Sequence, residues 1–151
     1  MARSYGIQYS GANGSASHLA LEIYMATAAG IRPKIFEFMI SSHATPADQA
    51  QEYTLARAGT AAPTGGANPT IGPLEFADPA ALATAYDAAT GGDTLSTVLM
   101  MISVNLRASF RWVCAPGKEI VVPNTQYAAA GICVAATTSA FNPDLTLLWE
   151  E

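Results

Sequence analysis

The chain has 151 residues, of which 50% are apolar and only 13% charged, and its 7 basic and 12 acidic side chains give a net charge of −5. This length suits one domain spanning 1–151, and the apolar content argues against intrinsic disorder. The basic residues occur singly along the sequence and form no patch that could track phosphates, so nucleic acid is not an expected partner.

The sequence shows no pattern typical of membrane insertion. The uncharged stretch Thr94–Leu106 carries several polar side chains and is shorter than the roughly 20 apolar residues of a membrane helix. The segment before Gln8 lacks an apolar core of signal-peptide length. We therefore expect no membrane partner and no secretion by that route.

The first half of the chain alternates apolar and polar residues with a period of two, which is typical of β-strands. Tyr5–Tyr9, Lys34–Ile40 and Tyr53–Arg57 are predicted strands. Leu19–Met25 alternates in the same way, which predicts a strand with one face in the core. A helix over Leu19–Ala29 stays open as an alternative, because alanine, leucine, glutamate and methionine favour helices.

Residues 58–93 interrupt this pattern with many glycines and prolines, which predicts a long excursion from the sandwich. Within it, Asp78 as an N-cap and a proline at the first helical position predict a short helix over Pro79–Ala89. Thr45–Ala50 is a second candidate for one helical turn. Residues 1–17 are a candidate N-terminal arm.

The second half of the chain returns to strand patterns. Thr97–Val104 is nearly continuous in apolar and β-branched residues, which predicts a strand covered on both faces. The further predicted strands are Ser109–Cys114, Glu119–Val122, Tyr127–Thr137 and Leu145–Trp149. About nine short strands with frequent turns predict an all-β fold, an antiparallel β-sandwich or barrel.

No motif in the sequence specifies a reaction. His43 could pair with Asp48 across a short loop, but an exposed loop histidine is the favoured interpretation. Glu22 and Glu37, placed on adjoining predicted strands, could form a carboxylate pair, but solvated outer-face positions are favoured. The two cysteines lack CxxC spacing and are interpreted as buried thiols. We therefore predict no enzyme, with no catalytic residue, cofactor or metal site.

The low charge content predicts self-association. A well-solvated monomer surface carries roughly 25–35% charged residues, and this chain is poor in them. Subunit interfaces are depleted of charge at their centre, so part of the surface is expected to be covered by other subunits. Arg107 and Arg111 are predicted to point outward, where they could bind a carboxylate or carbonyl of a partner or pair within the subunit.

Two stretches of the sequence resemble small structural proteins of tailed bacteriophages. They are residues 21–58, which include 34–40, and residues 105–123. The resemblance is to the jelly-roll decoration, or cement, proteins of the capsid shell. It implies a jelly-roll sandwich, a homo-oligomer, usually a trimer, and the major capsid protein as partner. The implied location is the outer surface of the virion capsid, and the implied role is to stabilise that shell.

On this interpretation the excursion 58–93 and residues 1–17 are predicted contact arms. The predicted interface residues are Arg107, Arg111, Gly65, Gly66, Pro69, Pro73 and Phe76. Two alternatives stay open: a phage fibre or receptor-binding head that recognises host glycans through exposed tyrosines, and a small hydrolase that uses His43 with Asp48.

Overall fold

The structure is a computed structural model that describes residues 2–11, 18–27, 30–59, 61–134 and 141–151. In these ranges it contains no helix, which confirms the predicted all-β fold. The eleven described strands are β1 (Ser4–Ser10), β2 (Leu21–Tyr24), β3 (Lys34–His43), β4 (Ala50–Ala58), β5 (Gly72–Pro73), β6 (Thr84–Asp87), β7 (Leu95–Asn105), β8 (Phe110–Val113), β9 (Ile120–Val121), β10 (Ala129–Val134) and β11 (Asn142–Glu150).

The strands form two antiparallel sheets that pack against each other. Sheet 1 has the order β5-β1-β11-β3-β8, with β9 also paired to β3, and sheet 2 has the order β6-β2-β10-β4-β7. The pairing is nested, because β1 pairs with β11, β2 with β10, β3 with β8, and β4 with β7. Nested pairing divided between two sheets defines a jelly roll, so the predicted sandwich type is confirmed.

The main core lies between the two sheets. Its largest fully buried side chains include Trp149, Tyr5, Tyr53 and Phe38. The rings of Tyr5 and Trp149 lie 5.8 Å apart between centroids, and Phe38 stacks on Trp112 of β8 at 5.2 Å. Aromatic pairs of this geometry add to the free energy of burial, so the first pair stabilises the contact of β1 with β11 and the second the contact of β3 with β8.

A second cluster lies on the outer face of sheet 2. It is formed by residues at the alternate positions of β2, β4 and β10 and by the residue two positions before β2, namely Leu19, Tyr24, Ala56, Ala58, Ala129 and Cys133. Every residue of β2 and β10 is therefore buried. The strand prediction for Leu19–Met25 is confirmed, but the expectation of one solvated face is wrong, because this outer face is covered as well.

The excursion 58–93 closes one edge of the sandwich. Its segment β5 pairs with β1 at the edge of sheet 1, and β6 pairs with β2 at the edge of sheet 2. The predicted helix over Pro79–Ala89 is wrong, since residues 84–87 are the strand β6. The free edge of β2 offers ladder hydrogen bonds to residues 84–87, whereas a helix of one or two turns has a nucleation cost that few hydrogen bonds offset.

Two further sequence-based expectations change. Residues 4–10 form β1 within sheet 1, so this part of 1–17 is not a free arm, and residues 12–17 lie outside the described residues. Thr45–Ala50 forms bends and the start of β4 instead of a helical turn. Residues 135–137 of the predicted strand Tyr127–Thr137 also lie outside the described residues.

Among the residues described, no helix has the length and apolar character needed to cross a bilayer.

Candidate functional site

The outer edge of sheet 2 exposes an apolar strand. β7 pairs with β4 on one side only, and its exposed side chains include Val98 (53% exposed), Leu99 and Met101 (63%). We call these three residues the β7 patch. The prediction that Thr97–Val104 is a strand is confirmed, but its predicted burial on both faces is wrong. Only Ile102 in this stretch is buried, and most of the other side chains are exposed.

A second apolar group lies at the opposite edge of the sandwich, on the excursion. Leu74, Phe76 and Leu82 are exposed there, and Phe76 is 98% exposed. We call these three residues the turn patch. Since β5 and β6 end the two sheets on one side and β8 and β7 end them on the other, the two patches occupy opposite edges of the fold.

Hydrogen bonds to the sandwich hold the turn patch in place. The backbone N–H of Leu74 donates to the carbonyl of Ser4 at 2.8 Å, and the Tyr5 hydroxyl donates to the carbonyl of Pro79 at 3.0 Å. The carboxylate of Glu151 accepts from the backbone N–H groups of Leu82 and Ala83, both at 2.8 Å. Phe76 therefore projects from a turn with fixed ends, a geometry suited to an anchor residue.

The predicted interface residues of the excursion divide into two groups. Pro73 and Phe76 are exposed beside Leu74 in the turn patch. Gly65 and Gly66 face the chain itself, because a Cβ atom would collide with Thr90 at the first position and with the carbonyl of Asp87 at the second. These two glycines allow the excursion to pass close to the end of β6. Pro69 is half-buried.

The two predicted interface arginines both find partners within the subunit. The Arg111 guanidinium donates to both carboxylate oxygens of Glu37, at 2.6 and 3.0 Å, on the outer face of sheet 1. Hydrogen bonding to Arg111 lowers the pKa of Glu37 below its usual range. Arg107, which follows β7, donates from Nε to the carbonyl of Pro46 at 3.3 Å and lies 3.8 Å from the Asp48 carboxylate.

The alternative pairing of His43 with Asp48 does not form, and His43 is exposed, as the favoured interpretation expects, although it ends β3 instead of lying in a loop. The Nδ1 atom of His43 lies 2.9 Å from Asp144 on the paired strand β11, and Asp48 accepts from Asn105 at 2.6 Å. Ser10 Oγ also approaches His43, but at the same Nδ1 atom, 3.4 Å away. A relay of the serine-hydrolase type requires the acid and the hydroxyl on opposite ring nitrogens, so this trio is not arranged as one.

Glu22 is the most unusual titratable group that the structure describes. It is fully buried on the covered outer face of sheet 2, opposite Gly131, and neither of its carboxyl oxygens has a hydrogen-bond partner among the described residues. Burial, with a smaller contribution from the nearby Asp93 charge, raises its pKa to about 9. The predicted solvated position is therefore wrong for Glu22, and it is wrong for Glu37 as well, which is 8% exposed. The alternative, a pair of these two carboxyls, does not form, because β2 and β3 lie in different sheets.

Asp93 and His18 lie close to this carboxyl. Asp93 accepts from the backbone N–H of Leu19 at 2.7 Å and lies 2.9 Å from Nδ1 of His18. Burial raises the pKa of Asp93, although these hydrogen bonds oppose the shift. The pair ties the end of the excursion to the start of β2. In the described part of the chain, no three metal-ligating side chains converge here or elsewhere.

The cysteines and tyrosines are covered to different degrees. Neither cysteine forms a disulfide; Cys133 is buried as predicted, whereas Cys114 is half-buried. Burial raises the pKa of the Cys133 thiol to about 11. None of the six tyrosines is exposed, since Tyr5, Tyr24 and Tyr53 are buried and the other three are half-buried. An exposed tyrosine platform for glycans is therefore not formed by this subunit.

Comparison of the chain with protein-family models, curated proteins and solved structures finds no match. Its function must therefore be inferred from its own surface. The geometry presents two fixed apolar patches on a jelly roll that is poor in charge.

Proposed function

We propose that this chain is a virion structural protein, a capsid decoration protein that binds the outside of a phage shell and stabilises it. It acts by surface complementarity, through contacts with the major capsid protein and with other copies of itself. The observation that carries the proposal is the presence of two separate apolar patches at opposite edges of one small, rigid sandwich.

A decoration protein on a lattice needs at least two contact surfaces, one for the shell and one for its neighbours. The β7 patch and the turn patch supply two such surfaces, and they cannot be covered by the same partner contact. Contiguous exposed apolar groups on a soluble domain mark interaction sites, and a fully exposed phenylalanine on a fixed turn is a strong anchor. The jelly roll agrees with this role without requiring it.

We assign the turn patch to the shell. Phe76, Leu74 and Leu82 project from a segment bound at both ends to the sandwich, so little conformational entropy is lost when they are covered. Most of the charged groups beside the patch already have partners within the subunit. Arg3 lies 3.8 Å from Asp78, and the Glu151 carboxylate accepts from the backbone N–H groups of Leu82 and Ala83. Adhesion at this edge is therefore mainly apolar and weakly dependent on salt.

The two alternatives lack an observation that favours them. A glycan-binding head would rest on exposed tyrosines, and the hydrolase would rest on the pair of His43 with Asp48; the described structure contains neither feature. We therefore retain one candidate function.

The proposal is tested on heads of the virus whose genome encodes the chain. Heads stripped of the protein are mixed with purified wild-type chain or with the F76D variant and are sedimented. The wild type is expected to co-sediment and to be accessible to antibody on intact heads, and F76D is expected to stay in the supernatant. The matched control, A47D, adds the same charge at an exposed residue of the loop between β3 and β4 and should bind.

Two results would overturn the proposal. One is the absence of the chain from purified heads combined with no binding of added wild type. The other is its presence only on tails or fibres. Equal binding by F76D and wild type would remove the assignment of the turn patch to the shell.

A further inference from the structure

β7 is the one long free edge among the strands that the structure describes. It has eleven residues and a single neighbour, β4. The other strands at the ends of the sheets, β5, β6, β8 and β9, have two, four, four and two residues. An edge strand presents a row of backbone N–H and C=O groups that can pair with another strand, so β7 offers far more such groups than any other edge.

The usual protection of an edge strand is missing from β7. From Thr94 to Leu106 there is no charged residue and no proline, although charges and prolines are what commonly prevent edge pairing. Irregularities of register with β4 are confined to the first half of the strand, and Met100–Asn105 pairs without interruption. This regular half carries Met101, whose side chain is 63% exposed.

We propose that β7 pairs antiparallel with β7 of a second copy across a two-fold axis, joining two sheets 2 into one ten-stranded sheet. We assign the strand that pairs with this free edge to a second copy of the chain, because among the described strands only β7 offers a free edge of eleven residues. A two-fold axis brings the same stretch of both copies together, so a charged side chain near the axis would face a like charge. Residues 94–106 carry no charge, so no such repulsion opposes the pairing.

This pairing deepens the proposed function, on which it rests, by naming the contact between neighbouring copies. It differs from the trimer implied by the resemblance, because a two-fold pair gives an even number of subunits. Cross-strand neighbours from the second copy would cover part of the β7 patch, and the turn patch at the far edge of each subunit would stay free for the shell.

The first test is the mass of the isolated protein by light scattering after size exclusion at about 100 µM. The wild type is expected at twice its chain mass of 15.7 kDa. The double variant V98K/M101K adds two like charges to each of the paired strands and should be monomeric, with the dissociation constant raised by ~100-fold or more. The control T45K/A80K adds the same charge at exposed sites and should remain dimeric.

A wild-type chain that is monomeric or trimeric would overturn the pairing, and so would a V98K/M101K variant that remains dimeric. A monomeric wild type whose V98K/M101K variant fails to bind heads would assign β7 to the shell instead. Far-UV circular dichroism of each variant establishes that it folds.

The second test keeps the native edge and does not depend on the lysine variant. Single cysteines at the exposed positions 97, 98, 99, 101 and 103 are introduced in a C114S background and mildly oxidised. In a two-fold antiparallel pair, the cysteine nearest the axis should cross-link most readily to the same cysteine of the second copy. Cross-linking should decrease at positions on either side of it, because a disulfide needs Cα atoms within roughly 7 Å. Uniform or absent cross-linking would overturn the pairing. Both tests use isolated protein, so their failure is distinct from a failure to bind heads.

Discussion

Replacing Glu22 with glutamine should change how the stability of this protein depends on pH. The carboxyl is fully buried and has no hydrogen-bond partner in the part of the chain that the structure describes, and burial raises its pKa from the ordinary 4.5 to about 9. In the folded chain it therefore carries a proton at neutral pH, whereas in the unfolded chain it is ionised. Unfolding between pH 4.5 and pH 9 releases a proton, so the free energy of unfolding must fall as pH rises through this window.

The size of this effect follows from the two pKa values. One proton released on unfolding lowers the free energy of unfolding by about 1.4 kcal/mol per pH unit. From pH 4.5 to pH 7 this amounts to about 3 kcal/mol, a large fraction of the 5–15 kcal/mol that is usual for a domain. Below pH 4.5 the carboxyl is protonated in both states, and its ionisation costs nothing.

Urea unfolding of wild type and E22Q, followed by tryptophan fluorescence at pH 5, 6, 7 and 8, measures this effect. The difference in unfolding free energy, E22Q minus wild type, should increase by about 1.4 kcal/mol per pH unit. The buried amide of E22Q changes the unfolding free energy by an amount that does not depend on pH. The slope of the difference against pH therefore measures the ionisation of Glu22 alone. E75Q, which changes an exposed glutamate, should give a flat difference. A flat or falling difference for E22Q would refute the burial of Glu22 as described.

The remaining predictions concern packing and reactivity. G66A should lower the unfolding free energy by about 1–3 kcal/mol, because its Cβ collides with the carbonyl of Asp87, whereas G72A should be nearly neutral in thermal melts. E37Q should destabilise the protein at pH 7, and its difference from wild type should shrink as pH falls through the lowered pKa of Glu37; an unchanged difference in urea at pH 3 would contradict this. In the native protein at pH 8, Cys114 should react with a disulfide reagent well before Cys133, and mass spectrometry of the labelled peptides checks the order.

The long strands could be predicted from the sequence because alternation with a period of two is a local property. All nine predicted strands correspond to strands in the structure, from β1 to β11 without β5 and β6. Those two missing strands lie in a segment rich in proline and glycine and have only two and four residues. They form because β1 and β2 offer free edges, and such long-range pairing leaves no periodic signal in so short a segment.

The residue pattern of β2 alone could not predict that Glu22 is buried. Alternation shows that Glu22 and Ile23 lie on different faces, but it does not show whether the second face is covered. A signal was present elsewhere in the chain, because small residues occupy that face on the neighbouring strands at Ala56, Ala129 and Gly131. Small side chains at these positions allow other parts of the chain to approach closely, which is unusual for a solvated face.

The candidate site was predicted only in part. An apolar stretch looks the same whether it is covered by its own fold or by a partner, so β7 was expected in the core. Phe76 and Pro73 are predicted at an interface, and both are exposed, Phe76 in the turn patch and Pro73 next to its residue Leu74. The partners of Arg111 and Arg107 were not predicted, since Glu37 lies 74 residues away in sequence and only the β3–β8 pairing brings it near.

Hydrogen exchange of the chain bound to heads, compared with the isolated chain at low concentration, tests the central claim most directly. Backbone amides of residues 95–105 and 74–82 are expected to exchange more slowly in the chain bound to heads, and the exchange of the rest of the sandwich is expected to stay unchanged. Both segments exchanging as fast on the head as in the dilute free protein would contradict it.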